Sequence, residues 1–162
     1  MNFLQFFIWG SWLCTLGLYM TTPVEDVGLA FDGALVGSVF ALSGIASLIM
    51  PALIGVVSDK WVNAERLMRV LHWVGAISLY CAAFVIDYDL FKIAMLGNML
   101  AYMPTLSLSY TVAYNAIDKA GLDRIKDYPP VRVWGTIGFI DAMYIDKLTG
   151  FTSNKVLLIM AA

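Results

Sequence analysis

Residues 33–58 read GALVGSVFALSGIASLIMPALIGVVS, without a single Asp, Glu, Lys or Arg. A helix needs roughly 20 consecutive apolar residues to cross the hydrocarbon core of a bilayer. This stretch is longer than that. Its glycines and its proline are compatible with a span, because neighbouring helices re-satisfy the backbone groups they free. Residues 1–24, 70–86 and 93–117 are also free of charged side chains. A water-soluble fold has no use for four such tracts. The chain is 60% hydrophobic and 14% charged, against about 45–50% and about 25% in soluble domains. The expected fold is all-α: a polytopic membrane helix bundle that occupies the whole chain, 1–162, in the lipid bilayer.

Five spans are predicted, over about 2–20, 35–57, 67–86, 92–116 and 130–146. A sixth begins near residue 155 as KVLLIMAA. Eight helical residues rise about 12 Å, short of the roughly 30 Å core, so the chain reads as the N-terminal part of a longer protein. No basic segment precedes FLQFFIWGSWLCTLGLYM and no small-residue cleavage site follows it, which makes it a retained span, not a signal peptide.

Basic residues are divided by loop. DKWVNAERLMR carries Lys60, Arg66 and Arg69, and DKAGLDRIKDYPP carries Lys119, Arg124 and Lys126. The alternate loops hold Lys92, Lys147 and Lys155. The bias puts the N-terminus and the even-numbered loops in the cytoplasm. Trp9, Trp12, Trp61, Trp73 and Trp134 read mostly as interfacial aromatics. Gly10, Cys14 and Gly17 form a small-residue stripe in span one, and Ser43 and Ser47 form another in span two, beside Gly37 and Gly44. Such stripes let helices approach closely in lipid. Pro51 and Pro104 fall within spans two and four, where each removes a backbone hydrogen bond and kinks its helix. Cys14 and Cys81 lie in apolar tracts and read as small buried hydrophobes. CxxC, HExxH and GxGxxG are all missing, so neither a metal centre, a cofactor nor enzymatic activity is expected, and no nucleic-acid partner either. His72, the sole histidine, reads as structural or interfacial, with a proton relay as the alternative.

Function is carried by charges in apolar surroundings. Arg132 sits two residues past Pro129–Pro130, in DYPPVRVWGTIGF, residues 127–139. An arginine at mid-membrane costs roughly 2.5–3.5 kcal/mol on insertion scales, so it faces a cavity or a partner. Arg132, Thr136 and Phe139 are spaced i, i+4, i+7 and fall within roughly 60° of one another on a helix. That face offers a guanidinium, a hydroxyl and an aromatic ring, suited to a small polar solute with a planar part. The competing reading has Arg132 snorkelling to the interface. Asp141 points to the opposite side and is a candidate protonatable group, while Asp146, beside Lys147, is expected at the surface. GVVSDKW, residues 55–61, ends span two; Gly55, Asp59 and Lys60 form a helix-end charge pair of the kind that docks on a neighbour and releases during a conformational change, or simply start a solvated loop.

FLQFFIWGSWLCTLG, GIASLIMPALIGVVSDKW, AYMPTLSLSYTVAYNA and above all DYPPVRVWGTIGF resemble the bacterial nucleoside:proton symporter family, a branch of the major facilitator superfamily. The resemblance runs over nearly the whole chain. It implies two halves of six helices each, moving by alternating access around a central site. It implies a nucleoside and protons as what is moved, across the bacterial inner membrane, with Arg132, Thr136 and Phe139 matching nucleoside contacts and the C-terminal half missing here. After GVVSDKW, Val62, Asn63, Ala64 and Glu65 depart from the family's basic continuation, which weakens the gating reading there. A facilitator for another polar solute such as a sugar, or a truncated membrane protein without transport, are the alternatives.

Overall fold

The computed structural model describes residues 1–26 and 28–149. The expected start of a sixth helix near residue 155 lies outside the described residues, as does Lys155. The described chain forms five long helices: α1 (Asn2–Thr21), α2 (Gly33–Lys60), α3 (Ala64–Phe84), α4 (Tyr88–Lys119) and α5 (Arg124–Thr149). A short 3-10 turn, Val24–Asp26, follows α1. The described residues form an all-α helix bundle. By length and composition alone, α1, α2 and α3 qualify as spans. Helices α4 and α5 are longer than the core requires, at 32 and 26 residues. What they lack is uniform apolarity, since their polar residues serve contacts between helices and the candidate site.

The largest difference from expectation is the start of α5. It begins at Arg124, with Pro129 and Pro130 inside the helix instead of ahead of it. Acidic side chains set that earlier start. Asp123 Oδ1 accepts from the Ile125 N–H at 2.9 Å, and Asp127 Oδ2 accepts from the Asp123 N–H at 2.8 Å. This reciprocal capture of orphan donors resembles a capping box widened by one residue. At the other end of the bundle the chain folds back onto the C-terminus of α1. Tyr19, Met20 and Thr22 carbonyls accept from Leu29, Phe31 and Ala30 at 3.1, 2.7 and 2.9 Å, so the helix end is satisfied by backbone. Asp87 caps α4, accepting from Leu90 N–H at 3.1 Å.

Helix α4 lies between α2 and α3, and α1 packs chiefly on α5. The core is built from Trp12, Leu16 and Met20 of α1 and Phe91, Met95 and Met99 of α4, each no more than 1% exposed. The four-residue spacing of those methionines keeps them on one face of α4. Trp12 is therefore not interfacial. It is fully buried with its ring edge-on to Tyr102, centroids 6.1 Å apart. Cys14 and Cys81 are free but exposed on the bundle surface, not buried. In lipid an apolar side chain gains little by turning inward, so apolarity did not decide their orientation.

Close approach of α1 and α5 depends on glycine. A Cβ at Gly138 would stand 2.3 Å from the Phe3 carbonyl oxygen. Of the small-residue stripe in α1, Gly10 serves this contact, while Gly17 faces Phe40 of α2 at ordinary contact distance. Most of the α2 stripe does not pack: Gly37 and Gly44 have nothing within 4 Å of an added Cβ and Ser47 is exposed, while Ser43 is half-buried.

Candidate functional site

Arg132 and Phe139 of α5 both lean on α1. The Arg132 Cζ atom lies 4.1 Å from the centroid of the Phe6 ring, within the range of a cation–π contact. Gly135 makes room for this stack, since a Cβ there would meet Phe6 Cδ2 at 2.6 Å and Arg132 Nη1 at 3.0 Å. One turn further, Phe139 meets Trp9 edge-on, centroids 5.8 Å apart and planes at 74°. Thr136, between them in sequence, is exposed. The Asn2 amide donates to the Val131 carbonyl at 3.2 Å and ties the same two helices nearby. All three residues lie on α5, with the cation and the ring seated on α1 and the hydroxyl open.

Among the described residues Arg132 has an aromatic partner and no acidic one. Among the described residues the ion pairs are Lys119–Glu65, at 3.5 Å, and Arg124–Asp118. No hydrogen bond among the described residues takes the Arg132 donors either. One turn before it, Tyr128 packs on Tyr114 and Tyr110 of α4, centroids 4.6 and 6.0 Å away. Its hydroxyl is buried without a hydrogen-bond partner. The arrangement is a guanidinium stacked on one ring of α1, with a tyrosine cluster of α5 and α4 one turn before it, chemically able to bind hydroxyls through N–H donors and a planar group by stacking.

The other expected residues lie apart from this cluster. Helix α2 continues through Lys60, so Gly55, Asp59 and Lys60 occupy its last turns and do not begin a loop. Asp59 and Lys60 are exposed and form no ion pair among the described residues, and Gly55 has open space where a Cβ would stand. The ionic link between helices at this level is Glu65 of α3 with Lys119 of α4. Asp141 is exposed. Asp146 is half-buried, with Oδ2 enclosed and unpartnered, which departs from the surface position expected for it.

Sequence reasoning missed Phe6 and Trp9. Their three-residue spacing, with Gly10 completing the stripe, was the available signal for a face turned toward α5. His72 takes part in a hydrogen-bond network between helices. The imidazole Nε2 lies 2.9 Å from Gln5 Oε1 and Nδ1 lies 2.8 Å from the Met68 carbonyl oxygen. Gln5, 2% exposed, in turn donates from Nε2 to Thr105 Oγ1 at 2.7 Å. A cavity of about 590 Å³, bordered by Gln5, Glu65, Arg69 and His72, lies beside this network. A second cavity of about 30 Å³ is lined by His72, Asn98 and Tyr102. Neither includes Arg132, Thr136 or Phe139.

Comparison with known proteins places this geometry in context. A family model described as "Nucleoside H+ symporter" matches residues 1–162. The nucleoside permease NupG of Escherichia coli (strain K12) is 46% identical over 162 residues. The xanthosine permease of the same organism is 46% identical over the same length. Each alignment covers 100% of this chain and 38% of the relative, so the chain spans well under half of the permeases it matches. A crystal structure of the nucleoside transporter NupG superposes with a TM-score of 0.91 at 48% identity, over 99% of this chain and 38% of that one.

Proposed function

This chain belongs to the nucleoside H+ symporter family, and on that premise we propose that it supplies the N-terminal wall of a proton-coupled nucleoside uptake protein. The membrane is the bacterial inner membrane, with the N-terminus and the basic even-numbered loops in the cytoplasm, following the division of Lys and Arg between loops. Substrate enters between two halves that open alternately to either side.

The single observation that carries the reading is Arg132 stacked on Phe6 with no acidic partner among the described residues. A buried structural arginine is normally paired with a carboxylate. One held by a ring keeps its donors for a guest. In this reading the ribose hydroxyls accept from the guanidinium and bond to Thr136, while the base packs on Phe139. The second half closes the site from the opposite side. Gly55, Asp59 and Lys60 act at the end of α2 as the movable contact between states, and Asp141 is a protonatable group of the coupling path.

The experiment is nucleoside binding and uptake by the full-length protein that contains this chain. Arg132→Ala is expected to abolish both, and Thr136→Val to weaken binding with uptake retained at high substrate. Unchanged uridine affinity in Arg132→Ala would remove the site. Competition by sugars as strong as by nucleosides would reassign the substrate.

A further inference from the structure

With the Gln5 amide oxygen turned toward it, His72 does not balance as a neutral imidazole. Nδ1 faces the Met68 carbonyl at 2.8 Å, and a carbonyl only accepts, so Nδ1 carries a hydrogen. Nε2 faces Gln5 Oε1 at 2.9 Å, which is also an acceptor. A neutral ring has one N–H to offer, and two acceptors confront it. On the far side of Gln5 this amide orientation is matched by Thr105. Thr105 donates its hydroxyl hydrogen to the Tyr102 carbonyl at 2.6 Å, leaving Oγ1 as an acceptor for the Gln5 NH2 group at 2.7 Å. With the amide in this orientation, every hydrogen of the network is accounted for only when Nε2 is protonated as well.

The neutral ring has its own consistent arrangement. The Gln5 amide turns over and donates its NH2 to the bare Nε2, and its oxygen faces Thr105. The Thr105 hydroxyl then donates to Gln5 and leaves the Tyr102 carbonyl. Hydrogen placement follows the network in both cases, and each protonation state selects one amide orientation. The change reaches three helices: His72 on α3, Gln5 on α1 and Thr105 on α4. Thr105 directly follows Pro104, where α4 lacks one ladder hydrogen bond and is easiest to bend. The Gln5 backbone is held independently, since its carbonyl accepts from the Tyr102 hydroxyl. The side chain can therefore turn without releasing α1.

We propose that Nε2 of His72 is a proton-binding site whose occupancy is read by the Gln5 amide and passed from α3 to α1 and α4. The ionisable groups around it are few. Glu65 and Arg69 of α3 and Met1 of α1 share the wall of the adjoining cavity. Glu65 is already paired with Lys119 of α4. On the α4 side Tyr102 turns its ring edge to the imidazole, centroids 6.4 Å apart, and α2 contributes no residue to either cavity. The site is separate from the Arg132 cluster, and the proposal does not rest on nucleoside being the substrate.

His72 is the only histidine in this sequence; in the full-length protein that contains it, placed in lipid nanodiscs without a histidine tag, the isotope-labelled histidine signal that disappears in His72→Gln belongs to this ring. Nitrogen NMR distinguishes the two neutral tautomers from the imidazolium. Lowering the pH from about 8 to about 5, the interval in which histidine titrates, is expected to convert an Nδ1–H tautomer into the imidazolium. Gln5→Glu presents a charged acceptor to Nε2 and raises the midpoint by about one pH unit or more. Gln5→Leu removes the acceptor and lowers it. A ring that stays in one neutral tautomer throughout overturns the proposal, as does a midpoint identical in the parent and Gln5→Glu. The parent titration decides the first point even if a variant fails to fold. Nucleoside binding is not read in this experiment, so its outcome is independent of the substrate assignment.

Discussion

Gly10 and Phe139 are in backbone contact: a Cβ on Gly10 would lie 2.8 Å from the Phe139 carbonyl oxygen and 3.2 Å from its Cα. The obstacle is main chain, which cannot swing aside as a side-chain tip can. Gly10→Val is therefore expected to push α1 from α5 and lower thermal stability by about 1–3 kcal/mol, the usual cost of overpacking. Gly37→Val, on the open face of α2 with nothing within 4 Å, is the control. Detergent-solubilised melting of both variants checks the contrast, and equal melting temperatures would show that the α1–α5 contact yields without cost.

That same contact positions the Arg132 stack, which yields a second expectation within the proposed site. Phe6→Leu keeps most of the volume under the guanidinium and removes the π face. A cation–π contact is worth about 0.5–2 kcal/mol, so nucleoside binding by the full-length protein should weaken several-fold. Arg132→Lys keeps the charge but loses the planar fork and should weaken it more. Isothermal titration with uridine ranks the two, and a larger loss in Phe6→Leu would assign the ring, not the cation, to the substrate.

Much of this was readable from charge placement. Four charge-free tracts located α1 to α4, and the apolar run after Pro129–Pro130 put Arg132, Thr136 and Phe139 on α5. What could not be read follows from the medium. In water, hydrophobicity separates inside from outside; in a bilayer the lipid-facing side is as apolar as the core. The outward position of Cys14 and the burial of Trp12 are both consistent with the same apolar pattern. The early start of α5 required weighing two prolines against two capping aspartates. The partnership of His72 with Gln5, 67 residues away, has no local signature at all.

At the end of α4, the Arg124 side chain donates to both Asp118 carboxylate oxygens, and this hydrogen bonding, with the attraction of the charge, lowers the Asp118 pKa. A carboxyl depressed in the folded state contributes stability that is present above its unfolded value and lost as pH falls through the folded one. The window therefore lies below the ordinary aspartate value of about 3.9. Both side chains are exposed, so salt screens the pair. Carbon NMR of Asp118 should show its midpoint below that of other exposed aspartates and rising in Arg124→Gln. A midpoint unchanged by Arg124→Gln would mean that the contact has no weight in solution.

Asn98 is 1% exposed, and neither its Nδ2 nor its Oδ1 has a hydrogen-bond partner. It borders the small cavity between α3 and α4, and a Cβ on Gly75 opposite would come within 3.3 Å of Oδ1. An unsatisfied buried amide costs about 1–3 kcal/mol, a cost that a neutral residue of similar size avoids. Replacing the amide by a carboxylate does the reverse, since an unpaired ion in this setting either stays costly or takes up a proton. Asn98→Leu is accordingly expected to hold or raise the melting temperature at neutral pH. Asn98→Asp should lower it, with part of the loss recovered at acidic pH as the carboxyl becomes neutral. A fall in Asn98→Leu as large as in Asn98→Asp would instead show that the amide is bonded in the membrane, through water held in a cavity of about 30 Å³, which is large enough for one molecule.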